Sequence, residues 1–241
     1  MQNFKSVLIS TIFYKKVRKE EILVYRQCTF VSYKFIYMIK NKTDYREYLE
    51  TDLTMYYNTG NYKLSIIQRL FSKSVRFIIL LRKAEYYTNC YKGGVGRIIA
   101  SIARVRLRLH EEKCGYSIPI NVLGKGTVVV HLGTVIINSN TKMGDFCRIH
   151  AGVNIGTSAG FVGKAPCIGD RVYIGPGVKM FGDITVADDI AIGANAVVNK
   201  NFLEPGISIG GVPAKKISQK GSSDYIKIPK SLLKKYPQFK K

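Results

Sequence analysis

A six-residue step governs the second half of this chain. Counting by six from Ile137 reaches Met143, Ile149 and Ile155, and after an irregular stretch the count resumes through Ile168, Ile174, Met180, Val186, Ile192 and Val198. Every one of these positions is aliphatic. The residue that follows is often small (Gly144, Gly156, Gly169, Gly175, Ala187, Gly193), and the fourth residue after it is usually apolar, as at Val153, Val172, Val178, Ile184, Ile190 and Ala196. A helix repeats every 3.6 residues and a lone strand every two, so a period of six belongs to neither. It suits a solenoid with three short flat sides, each side a hexad that points one aliphatic residue inward and eases the corner with a small one. Three hexads make a coil of about 18 residues, so residues 118–200 supply about four to five coils around a narrow dry core.

The first half obeys a different rule. Of the 22 glycines only 4 lie in residues 1–110, whereas 12 of the 16 tyrosines do. Three stretches read as helices. One covers 44–57, with Asp44 placed to cap it; the second covers 61–91, after the NTG turn at 58–60; the third covers 96–115 and is stopped by Gly115. Residues 1–37 show no clear period, and Met38 is an alternative start. The fold class is therefore α+β. A mainly helical basic region (1–115) precedes the six-residue solenoid (116–217) and a basic tail (218–241), which reads as disordered or loosely docked.

Charge follows the same division. The net formal charge is +22, with 21 Lys/Arg against 7 Asp/Glu in residues 1–110, 9 against 6 in 118–217, and 7 against 1 from 218 onward. Such an excess attracts nucleic acid, an anionic membrane or an acidic ligand. Helix-turn-helix, zinc-finger and RRM signatures are missing, so nucleic acid is not an expected partner. No apolar run reaches membrane-span length, and FIILL at 77–81 is enclosed by Arg76 and Arg82. Without a compact leader sequence the expected location is the cytoplasm, with the alternating aliphatic and basic residues of the front helices suited to the inner face of an anionic membrane. The five cysteines (28, 90, 114, 147, 167) have no metal-binding or disulfide spacing; they read as reduced thiols, and no metal is expected.

The segment IGDRVYIGPGVKMFGDITVADDIAIGANAVVNKNFLEPGISIGGVPAKKI (168–217) resembles the C-terminal half of serine O-acetyltransferases and of related sugar and capsular-polysaccharide O-acetyltransferases. VVHLGTVIIN (129–138), where the step from Val129 to Ile137 is eight instead of six, resembles that family's active-site turn. The resemblance spans about residues 44–217. It implies a left-handed parallel β-helix (a hexapeptide-repeat solenoid), a homotrimer, and acetyl-CoA held in the groove between neighbouring subunits.

Moving an acetyl group from a thioester to a hydroxyl needs a base and donors for the developing oxyanion. His131, at the break in the repeat, matches the family's catalytic histidine and is the expected general base. His150 follows the inward Ile149 and should face the same groove, where it would help bind substrate. His110, at a helix end, reads as structural. On the cofactor side the resemblance points to Gly156 and Thr157 at the start of the loop GTSAGFVGKAPC, to Pro176 and Ala194 one coil apart, and to Lys200 and Lys215 as partners for CoA phosphates. Proline has no N–H, so Pro176 offers only its carbonyl. Two positions depart from serine acetyltransferases: Val130 stands where they have an aspartate, and Ala165 where they have the histidine of an RHP triplet. Both departures point toward a sugar hydroxyl, in a surface polysaccharide or its precursor, as the acceptor. Serine O-acetyl transfer is the alternative, and a catalytically silent scaffold is a second one.

Overall fold

A computed structural model describes residues 38–57, 72–159 and 163–240, all of which fall in one compact unit. Among the described residues three helices lead: α1 (Lys42–Tyr57), α2 (Lys73–Cys90) and α3 (Gly94–Cys114). The cap of α1 is Asn41, whose Oδ1 accepts from the backbone N–H groups of Thr43 and Asp44. Asp44, expected in that role, sits one turn in and reaches back to Lys40 N and the Asn41 amide. The pair forms a reciprocal box that satisfies more amides than one cap would. Ser72 caps α2, so of the stretch 61–91 the part 61–71 lies outside the described residues, as do 1–37. Helix α3 ends as its sequence requires, with Gly115 in the left-handed conformation at φ 79°.

From Tyr116 the described residues wind into fourteen short strands, β1 (Tyr116–Ser117) to β14 (Lys215–Ser218). They form three sheets in the orders β1-β3-β6-β9-β12, β4-β7-β10 and β2-β5-β8-β11-β13-β14, parallel throughout except for the final β13–β14 pair. This is the three-sided solenoid, and the predicted aliphatic positions are its inner columns. Ile137, Ile155, Met180 and Val198 pair in register on one side, Met143, Ile168 and Val186 on the second, and Val129, Ile149, Ile174, Ile192 and Ile209 on the third. All of them are at most 2% exposed. The small corner residues have a steric cause: a Cβ on Gly144 would lie 2.3 Å from Asp170 Oδ1 and 2.6 Å from the Gly169 backbone.

One buried cluster binds the helices to the first coil. Arg82 (α2) is fully buried, 2.7 Å from Asp52 (α1) and 2.8 Å from Glu85, and it donates to the carbonyls of Leu123 and Gly124. Asp52 in turn accepts from Gly126 N, and Glu85 from Asn121 N. Two buried carboxylates share one guanidinium, and burial outweighs its attraction, pushing Asp52 up to about 6.

The tail is not loose. Ser222 donates from its N–H to Asp189 O and from its hydroxyl to Arg171 O, and α4 (Lys230–Lys235) with the 3₁₀ turn Pro237–Phe239 folds back onto the coil. Leu232, Tyr236 and Phe239 form a second small core around Phe146. Tyr236 hydroxyl bonds Thr51 and Glu47 on α1. Apolar residues spaced through a lysine-rich stretch give the segment an inner face, which its composition conceals.

Candidate active site

Strand β2 (Val128–Val129) ends where the repeat breaks. Val130 N still donates to Ile149 O, and then the chain bends outward and exposes His131. Gly133, at φ 137°, turns it back and donates to Cys114 O, so that Val135 can rejoin the ladder. Two tyrosines, one from β1 and one from α1, hold this excursion. The buried Tyr116 hydroxyl donates to the His131 carbonyl at 3.0 Å and lies 3.3 Å from Ser74 Oγ on α2. Tyr56 of α1 brackets Val129, accepting from its N–H at 3.0 Å and donating to its carbonyl at 3.3 Å.

His150 occupies the next coil, just after β5 (Arg148–Ile149), and its ring centroid is 5.8 Å from that of His131. The structure thus brings together the two histidines that the sequence singled out. Behind them runs an aromatic row: Tyr173 meets His150 edge-on at 5.1 Å and stacks on Tyr225 at 4.6 Å. His150 is half-buried, and its Nε2 is shielded from solvent without a hydrogen-bond partner. Burial, reinforced by nearby Arg148 and His131, holds its imidazole below the usual histidine range. It is therefore neutral at physiological pH and can either donate or accept, according to tautomer. Val130, directly before His131, and Ala165, in the segment between β6 and β7 (Cys167–Ile168), are both half-buried and carry no charge. His110 is a structural residue, buried with Nε2 2.9 Å from Lys73 O.

Gly156 and Thr157 line a separate groove of about 300 Å³ at the end of β6 (Asn154–Gly156). Asn154, Ser158, Lys179 and Phe181 share it. Lys179 and Phe181 went unnoticed in the sequence, although both lie on β9 (Lys179–Phe181) opposite Asn154 and Gly156 in the ladder. Counting forward from the loop, the register alone would have located them. Lys179 Nζ donates to Gly152 O at 2.6 Å, and an exposed ion pair of Lys164 with Asp183 ties the loop to the turn after β9.

The other four cofactor candidates do not line this groove. Pro176 and Ala194 sit on exposed turns one coil apart, and the Pro176 carbonyl already accepts from Asn195 N at 2.8 Å. Lys200 is exposed, its ammonium 5.6 Å above the Phe202 ring, and Lys215 is exposed at the start of β14.

No family model matches the chain. It is 41% identical over 98 residues to a serine acetyltransferase of Helicobacter pylori strain J99, an overlap that takes in 40% of this chain and 57% of that relative. The chain thus spans little more than half the length of that curated relative. Among solved structures, the Neisseria gonorrhoeae serine acetyltransferase superposes with a TM-score of 0.59 at 25% identity, covering 77% of this chain and 70% of the other. The chain is serine acetyltransferase-like. The same gonococcal enzyme has been solved in complex with serine, and there the match has a TM-score of 0.58 at 25% identity over 73% of this chain and 70% of that one. A Brucella abortus serine acetyltransferase solved with coenzyme A shares the fold, with a TM-score of 0.58 at 20% identity over 75% of this chain and 70% of that one. The solenoid of this serine acetyltransferase-like chain is the left-handed β-helix of those proteins.

Proposed function

We propose that this chain is an acetyl-CoA-dependent O-acetyltransferase with serine as acceptor, working in the cytoplasm as a homotrimer. The carrying observation is the pair His131 and His150, delivered from successive coils to one place with rings 5.8 Å apart. In this reading His131, exposed on a braced turn, takes the proton of the attacking hydroxyl as general base, a role that contributes about 10²–10⁴-fold. His150 offers its unpartnered Nε2 to the acceptor. No covalent enzyme intermediate is needed, so the lack of a nucleophile motif is consistent with direct transfer.

The groove at Gly156 and Thr157 suits a section of the thioester donor. It combines backbone polar groups, the Thr157 hydroxyl, one ammonium at Lys179 and the apolar ring of Phe181. Acetyl-CoA supplies the activated acetyl group; the chain's residues supply grip and proton transfer. A groove of about 300 Å³ encloses only part of so long a molecule, and a neighbouring subunit would provide the opposite wall. Exposed Ile136 and Phe181, on the sheet that contains β6 and β9, give such a neighbour apolar surface to cover. Pro176, Ala194, Lys200 and Lys215 would contribute from outside the groove.

A sugar hydroxyl is the second reading, favoured by Val130 and Ala165. Thioester cleavage measured with acetyl-CoA and either serine or a panel of sugar and glycan acceptors separates the two. Serine is expected to support a kcat/KM of about 10⁴ M⁻¹s⁻¹ or better. Turnover with a glycan and not with serine would establish the second reading, and no cleavage with any acceptor would make the chain a scaffold.

A further inference from the structure

Helix α3 buries one side against α2 and leaves the other bare. Val95, Ile98, Ile102, Val105 and Leu109, spaced 3, 4, 3 and 4, form a single stripe along it, each 55–74% exposed. A helix of 21 residues is about 30 Å long, so the stripe runs most of that length. Arg106 and Lys113 border it on one side and Arg108 on the other, all exposed. Along the seam between α2 and α3 lie two adjoining cavities of about 360 and 220 Å³, which share Leu80 and Arg106. Lys73, Arg76, Lys83 and Lys113 complete their charged lining, and no carboxylate lines either one. Of the carboxylates of these two helices, Glu85 is engaged with Arg82 and Glu111 with Ile118 N, and only Glu112, exposed and paired with Arg108 at 3.6 Å, reaches this face.

This surface asks for a partner that is apolar along a line and anionic on both sides of it. A second copy of α3 does not qualify. In a helix pair packed through this stripe, the flanking positions are Arg106, Arg108 and Lys113, and parallel and antiparallel pairing alike set cation against cation. A bilayer containing anionic phospholipid qualifies on both counts. An interfacial helix sinks its aliphatic side about 5–10 Å toward the acyl chains while basic residues on either side meet headgroup phosphates. None of the described helices is long and apolar enough to cross a membrane, so the contact is a surface one. We propose that the exposed face of α3 and the adjoining α2–α3 groove form a docking surface for an anionic bilayer, the stripe entering the interface and the groove receiving a phosphodiester headgroup. The expected contact of the basic front half with membrane thereby acquires a definite address, independent of the acetyl acceptor.

The test uses the full chain in sedimentation with phosphatidylcholine vesicles, with and without phosphatidylglycerol, at low and high salt. Binding is expected only with phosphatidylglycerol and should weaken as salt shortens the Debye length. Because each basic residue near an anionic surface contributes about a fivefold factor, Arg76→Gln combined with Arg106→Gln should weaken binding about thirtyfold. Ile98→Ser with Ile102→Ser should weaken it at least tenfold, with the melting temperature and acetyl transfer unchanged because both side chains face solvent. Equal binding to neutral vesicles, or no binding at low salt, overturns the proposal. So does an Ile98→Ser, Ile102→Ser protein that changes its oligomeric state but still binds vesicles, and so does saturation by inorganic phosphate with no affinity for vesicles.

Discussion

Two tyrosine hydroxyls, one from α1 and one from the first strand of the solenoid, hold the backbone on which the candidate base rides. His131 needs a fixed position more than a special environment, because a displacement of about 1 Å between base and hydroxyl costs roughly a hundredfold in rate. Tyr116→Phe keeps the ring and its edge-on contact with Phe77 but removes the bond to His131 O. It is expected to lower kcat by between about tenfold and a hundredfold with KM for acetyl-CoA unchanged. A parallel rise in KM would show that the whole coil had shifted instead. His131→Ala should remove about 10²–10⁴ of turnover and leave the melting curve in place, since an exposed bend residue supports little packing. His150→Ala should act mainly on acceptor KM. The depressed His150 pKa has a further consequence. As pH falls through the usual histidine range, the unfolded chain takes up a proton that the folded one resists, so this group subtracts stability on the acid side. Denaturant titrations at pH 7 and pH 5 should therefore show a smaller acid loss in His150→Asn than in the wild type.

Among the elements, α1, α2 and the first coil are joined through Arg82. Replacing it with Met leaves Asp52 and Glu85 buried without their cation and is expected to cost about 3–5 kcal/mol by chemical denaturation. Adding Asp52→Asn and Glu85→Gln to Arg82→Met should restore much of that loss. If the triple variant is no better than the single one, packing around Arg82 matters more than its charge. This cluster also shows where sequence reading reaches its limit. The inner columns were legible because stacked coils force the same residue type every six positions, and the meeting of His131 and His150 followed from that register. Arg82, Asp52 and Glu85 carry no such signature; each looks like an ordinary helix-surface charge until the third dimension sets them against residues 121–126. Tyr116 and Tyr56 are equally silent, because a bond from a side chain to a distant carbonyl leaves no period. The docked tail was missed for a related reason: Leu232, Tyr236 and Phe239 touch Phe146 across more than eighty residues of sequence, while their neighbours are lysines.

At the scale of the molecule, the uncovered apolar residues on the β1-β3-β6-β9-β12 sheet call for a neighbour, and light scattering is expected to show a trimer at micromolar concentration. A stable monomer there would remove the shared groove along with the trimer. The rest of the architecture is tolerant. Ile174 and Ile192 pair across 18 residues, but Ile149 and Ile174 pair just as closely across 25. The seven extra residues fall between Gly156 and Cys167, and the columns above and below stay in step. Such a solenoid has a bookshelf's freedom: one shelf can overhang without tilting those around it. Changes of length or composition in the overhang reach whatever molecule lies beside it and leave the aliphatic interior untouched. A lineage can thus try new acceptors in this loop while its core stays the same.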